Sequence, residues 1–199
     1  MGNALVRFEF WEYLVRIALE KYKTVCKTPS EMFAKLISEK VLTYTDFEPW
    51  QGFRDEQLWT IDVNDILEAN EKELKKIYQS FQTSVKKYMT IDDILQMAVR
   101  DAQLNVPEKE VLFCYAMCKM TVTDEPKDYI KYQRLQWPEF LEFIGRLADI
   151  KFKHSPDMAQ NDLAWKVETV LEELLPVYGL KKKDVGVEKE EDSQSDDDY

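Results

Sequence analysis

Apolar residues recur along this chain at three- and four-residue intervals, the spacing that lines one face of an α-helix. In the first stretch, Leu5 to Tyr22, the spacing places Phe10, Tyr13, Leu14, Ile17 and Ala18 on one face. Thr28-Pro29-Ser30 then reads as a cap for a helix with Met32, Phe33, Leu36, Ile37 and Val41 inward. Pro49 and Gly52 break the next segment, TYTDFEPWQGFRDEQLW, which predicts an irregular connection. From a capping Thr60, the positions Val63, Ile66, Leu67, Leu74, Ile77, Tyr78 and Phe81 predict one long helix. Thr90 with Asp93 three residues on forms a capping-box start for IDDILQMAVRDA. Pro107 and Pro138 each fall in a first helical turn, ahead of EKEVLFCYAMCKM and EFLEFIGRLADI. A last helix, about Asn161 to Tyr178, carries the stripe Leu163, Val167, Leu171, Leu174 and Leu175. The pattern predicts an all-α fold.

Two of these helices echo each other. Leu5 to Leu19 and Leu135 to Asp149 match at Leu5/Leu135, Glu9/Glu139, Phe10/Phe140, Glu12/Glu142, Arg16/Arg146 and Ala18/Ala148. In each copy a Leu stands four residues before a Glu-Phe pair that opens an apolar helix. An EF-hand ends in the same way: loop position 8 is an apolar residue in a short strand, and position 12 is an acid that begins the second helix. A third unit, YMTIDDILQMA, has Met89 at position 8 and Asp93 at position 12. Met89 and Leu135 are therefore expected to pair as a small antiparallel ribbon.

The ligand positions argue against calcium. The ion takes oxygens from positions 1, 3, 5, 7, 9 and 12, with Gly at 6 for the sharp turn. Counting back from Glu139 gives Asp128 at position 1, then Ile130, Tyr132, Gln133 and Arg134 at 3, 5, 6 and 7. Counting back from Asp93 gives Gln82, Ser84, Lys86 and Lys87 at 1, 3, 5 and 6. Asp128, Glu139, Asp93 and Glu9 are then vestigial loop acids, and no metal or other cofactor is expected. The helices group into a half hand and a distorted hand over 1–61, a degenerate EF-hand pair over 62–152, a C-terminal helix over 153–180 and a disordered acidic tail over 181–199. Because the first unit starts at loop position 8, the chain reads either as the C-terminal piece of a longer protein or as a domain with an initiator Met at its boundary.

Composition narrows the class further. At 199 residues and 45% apolar content, the chain can bury a substantial core, and no run approaches the roughly 18 apolar residues that span a bilayer. Of the net charge of −11, the segment from Asp184 onward carries −7, so the remainder is only mildly acidic and offers no basic face for nucleic acid. Cys114 and Cys118 fall at i, i+4 and read as buried reduced thiols, which with Cys26 as the remaining cysteine points to a cytosolic compartment. His154 is the single histidine and reads as a solvated loop residue, no glycine loop cradles a phosphate, and an enzyme is not expected.

With these units in order, the chain resembles a group of EF-hand-like domains at the ends of large protist and algal proteins, many of them ciliary or flagellar. The stretches that carry the resemblance are RFEFWEYLVRIALEKY, FRDEQLWTIDVNDILEANEKELKKIY, MTIDDILQMAVRDA and LQWPEFLEFIGRLADIK. It implies a protein-interaction role and a place in motile cilia.

Trp50, Phe53 and Trp59 either anchor the irregular stretch on the core or line a groove for a partner helix, since aromatic residues dominate binding hot spots. Leu171 and Leu174, on the last stripe, need a groove supplied either by this chain's own hand pair or by a partner protein. The reading that results is a calcium-independent scaffold or adaptor that binds a partner through an amphipathic helix or packs in a larger assembly such as an axonemal complex. Two alternatives stand beside it. One is a calcium-responsive regulator using Asp46, Glu48, Asp55, Glu56 and Asp62; the other is a structural component of a filament or microtubule wall.

Overall fold

A computed structural model describes residues 7–44 and 50–186, with Tyr44 and Trp50 described by their backbone alone. The described residues form α1 (Arg7–Tyr22), α2 (Pro29–Leu36), α3 (Trp50–Phe53), α4 (Ile61–Ala69), α5 (Glu71–Ser80), α6 (Ile91–Leu95), α7 (Glu108–Cys118), α8 (Glu125–Asp128), α9 (Trp137–Phe152) and α10 (Leu163–Val177). The fold is all-helical. Wider π-turns extend three of these helices, at Ile37–Val41, Arg54–Leu58 and Gln96–Asp101. No helix among the described residues is long and apolar enough to cross a membrane.

The chain divides into two compact units, Met1–Trp50 with Met120–Gln133, and Gln51–Lys119 with Arg134–Tyr199. The boundaries expected from the sequence lie at 61, 152 and 180. The second unit takes in the C-terminal helix, and the first recruits a segment from the middle of the chain.

In the first unit α1 packs on α2, burying Ala18, Tyr22, Met32 and Leu36. Thr28 starts α2 through a reciprocal capping box: its hydroxyl accepts from the Glu31 N–H, and the Glu31 carboxylate accepts from the Thr28 N–H. The expected inward stripe of α1 is only partly inward. Leu14 and Ile17 are half-buried, whereas Phe10 and Tyr13 are 47% and 53% exposed, because α2 covers one side of a helix that is apolar over much of its circumference. Arg7, at the start of α1, pairs with Glu125 and donates to the Tyr132 hydroxyl at 2.8 Å, which ties the recruited segment down. The hydrogen bond from Arg7 holds the Glu125 carboxyl below its ordinary range.

The second unit holds the main core, in which Phe140, Phe143, Ile144 and Leu147 of α9 are fully buried with Leu74, Ile77, Met89 and Val111. The helix expected from Thr60 to Phe81 is broken at Asn70, whose backbone (φ −103°, ψ 11°) leaves the helical region between α4 and α5. The Asn70 side chain is fully buried and donates to the Ile66 carbonyl at 2.9 Å, satisfying the end of α4. The segment after Pro49, expected to be irregular, is helical from Trp50 to Leu58. Gly52 at the middle of α3 does not interrupt it. Cys114 and Cys118 are buried free thiols, and burial pushes the Cys114 thiol up to about 12 and that of Cys118 higher still.

The stripe of α10 meets α9 and α4. Leu163 is 5% exposed and Val167, Leu171, Leu174 and Leu175 are fully buried. At about 1.5–3 kcal/mol for each large aliphatic side chain removed from water, this seam stabilises the unit by several kcal/mol.

Candidate functional site

In the second unit, the loop between α5 and α6 meets Lys119, at the end of α7, and the residues from Arg134 to the start of α9. Their one point of regular pairing is an isolated antiparallel bridge between Met89 and Leu135. The Met89 N–H donates to the Leu135 carbonyl at 3.2 Å, and the Leu135 N–H donates to the Met89 carbonyl at 2.8 Å. The Tyr78 hydroxyl adds a third bond, to the Leu135 carbonyl at 3.0 Å. The expected pairing is thus present as a single bridge, with no strand flanking it among the described residues.

The acid that follows each bridge residue by four caps the next helix. Asp93 accepts from the Thr90 N–H at 2.6 Å and Glu139 accepts from the Gln136 N–H at 2.8 Å, the reciprocal arrangement of a capping box. Each acid also holds an ammonium. Lys86 pairs with Asp93, and Lys119 pairs with Glu139 at 2.5 Å while donating to the Arg134 carbonyl at 2.6 Å. Burial pushes the Asp93 carboxyl up, but the hydrogen bonds from Lys86 and Thr90 outweigh it and hold the group below the ordinary aspartate range. Arg134 itself lies over the Tyr88 ring, 4.9 Å from its centre.

Of the other acids named from the sequence, Glu9 is exposed on the first turn of α1, and Asp128 ends α8 and pairs with Lys131 at 2.8 Å. Both belong to the first unit, whereas Asp93 and Glu139 belong to the second. Asp128 does not begin an ion-binding coil. The residues counted as loop positions 1 to 6 instead form the end of α8 and the 3₁₀ turn Tyr129–Gln133. Among the described residues no group of three or more His, Cys, Asp or Glu side chains is placed to hold a metal. Asp55 accepts from Gln51 at 2.8 Å, while Asp46 and Glu48 lie outside the described residues. His154 is largely solvated and faces Glu110 at 3.3 Å.

The aromatic candidates separate. Phe53 packs against the core under the Arg146 guanidinium, 4.5 Å from its ring centre, and so anchors its segment. Trp59 is 48% exposed, and the Trp50 side chain lies outside the described residues. Leu171 and Leu174 do not line a free surface, because the chain's own α9 and α4 cover them.

Three features of this region do not follow from the loop pattern of the sequence. Lys119 lies outside any twelve-residue count made back from Glu139, so nothing in the loop pattern draws attention to it. Asn70 reads as an ordinary polar position on a helix. The third is a buried charge cluster, in which Arg54 donates to both Glu142 oxygens at 2.8 and 2.9 Å and Arg146 donates to one at 2.8 Å. Its signal was in the sequence: Glu142 and Arg146 repeat Glu12 and Arg16, which also pair, on the exposed face of α1.

Comparisons with family models, with curated proteins and with solved structures found no match for this chain.

Proposed function

We propose that this chain is a calcium-independent, EF-hand-like scaffold that packs as a fixed module in a larger protein assembly. The observation that carries the reading is the position of α10. In a sensor, ion binding opens the hand pair and exposes a groove for a target helix. Here the stripe from Leu163 to Leu175 already lies against α9 and α4, so the receiving face is filled from within. The bridge between Met89 and Leu135 supports the pairing of two hands, and both loop acids are engaged by lysines and by helix caps. With the groove filled, partners are met elsewhere. Phe8, Phe10, Trp11 and Tyr13 of α1 are 42 to 53% exposed, and aromatic side chains of this kind supply contact area at interfaces. Cilia are the setting that the resemblance of the repeated stretches brings forward.

Calorimetric titration of the full chain with calcium, paired with thermal unfolding, tests the proposal. A scaffold gives no saturable heat and no movement of the unfolding midpoint. A midpoint raised by calcium, with the rise lost in Glu139→Gln, makes the protein a sensor.

A further inference from the structure

Resting on the hand-pair reading above, we infer that each loop carries its own built-in cation: the ammonium groups of Lys119 and Lys86 stand where a hand of this kind holds its metal ion. Such an ion is gripped by the carboxylate at position 12 and the backbone carbonyl at position 7, among other oxygens. Lys119 Nζ takes these same two groups, Glu139 Oε2 at 2.5 Å and the Arg134 carbonyl at 2.6 Å. The side chains of Lys119 and Glu139 are 7% and 8% exposed, so water does little to screen the pair. In the other loop Lys86, itself at position 5, reaches the Asp93 carboxylate at position 12. One lysine lies within its loop and the other follows α7, yet both ammonium groups reach the position-12 carboxylate of their hands. Two independent placements on equivalent carboxylates distinguish a built site from an incidental ion pair.

The substitution is mechanical as well as electrostatic. A loop ion ties the end of the entering helix to the start of the exiting one. Lys119 directly follows α7, and its bond to Glu139 fastens that end to the first turn of α9. The chain leaves the second unit after Lys119 and returns at Arg134, so the bond from the ammonium to the Arg134 carbonyl also closes the neck of this excursion. A calcium ion dissociates when its concentration falls; a lysine side chain stays attached. The loops are therefore held closed at every calcium level, with no switching step.

The test uses the full chain with Lys119→Met, Glu139→Gln and the double variant, read by urea unfolding and by hydrogen exchange at the Met89 and Leu135 amides, with and without calcium. Each single change strands a buried charge and is expected to shift the unfolding equilibrium by roughly a hundredfold or more, with most of the loss recovered in the double variant. Protection of the two amides should fall and recover in parallel. Lys86→Met removes a more exposed ammonium, leaves the fold in place, and should speed exchange of the Met89 amide by about two- to fivefold. Additive losses in the double variant, or Met89 exchange unchanged by Lys86→Met, would overturn the inference. If the protein is also indifferent to calcium, the scaffold reading survives that failure. Calcium that stabilises the unaltered chain overturns both.

Discussion

The side-chain amide of Asn70 brackets the backbone of Lys183, donating from Nδ2 to its carbonyl at 3.0 Å and accepting at Oδ1 from its N–H at 2.7 Å. A third bond, from Nδ2 to the Ile66 carbonyl, makes this one buried residue both the end of α4 and the anchor of the segment after α10. Asn70→Ala leaves the two backbone groups of Lys183 without this partner, while the Ile66 carbonyl keeps the Asn70 N–H, and is expected to lower stability by about 1–3 kcal/mol in urea unfolding. It should also loosen residues around Lys183, seen as faster amide exchange there while the α9 core stays protected. Unchanged exchange at Lys183 would show that the bracket does not hold this segment.

Gly145 marks where the tip of the Leu58 side chain packs onto α9. A Cβ built at that position would collide with Leu58 Cδ1, and Leu58 is fully buried, so its side chain has little room to turn aside. Gly145→Ala should therefore destabilise by about 1–3 kcal/mol, even though Ala is the better helix former by roughly 1 kcal/mol. In a Leu58→Ala background the same change should become neutral or favourable. Thermal unfolding of the four proteins decides the point, and equal costs in both backgrounds would contradict the close approach.

The Asp93 carboxyl titrates below its ordinary value of 3.8 when folded, so its pair with Lys86 adds stability that is complete above that value. This contribution is lost as the pH falls through the lower, folded value. The gap in urea midpoint between the native chain and Asp93→Asn should stay constant from about pH 7 to pH 5 and close below roughly pH 4. A gap that persists into strong acid would show that Asp93 acts through something other than its charge.

Leu171 is fully buried in the seam between α10 and its receivers. Leu171→Asp places a charge in an apolar contact and should cost on the order of 3 kcal/mol or more. Trp165, on the same helix but 37% exposed, provides the control, since Trp165→Ser should cost much less. Similar losses for the two would mean that α10 is not seated by this face.

Much of the helical plan was legible because its signals are local. The capping boxes at Thr28 and Thr90, the first-turn proline at Pro138, and the buried stripe of α10 all depend on residues within a few positions of one another. The pairing of Met89 with Leu135 was legible as well, through the repeated spacing between an apolar residue and the acid four positions later. By itself, then, the sequence determined most of the helical segments, how several of them begin, and which two loop residues meet, but not the helix from Trp50 to Leu58 or the break at Asn70. Only the tertiary structure decided how completely each stripe is covered. Phe10 and its repeat partner Phe140 occupy matching helix positions, yet one is half exposed and the other fully buried, because burial depends on which helices arrive alongside. The break at Asn70 and the seat of Lys119 were decided in the same way. Their partners, Lys183 for one and Glu139 and Arg134 for the other, lie farther along the chain than any helical period reaches, and only the packed core brings them within hydrogen-bonding distance.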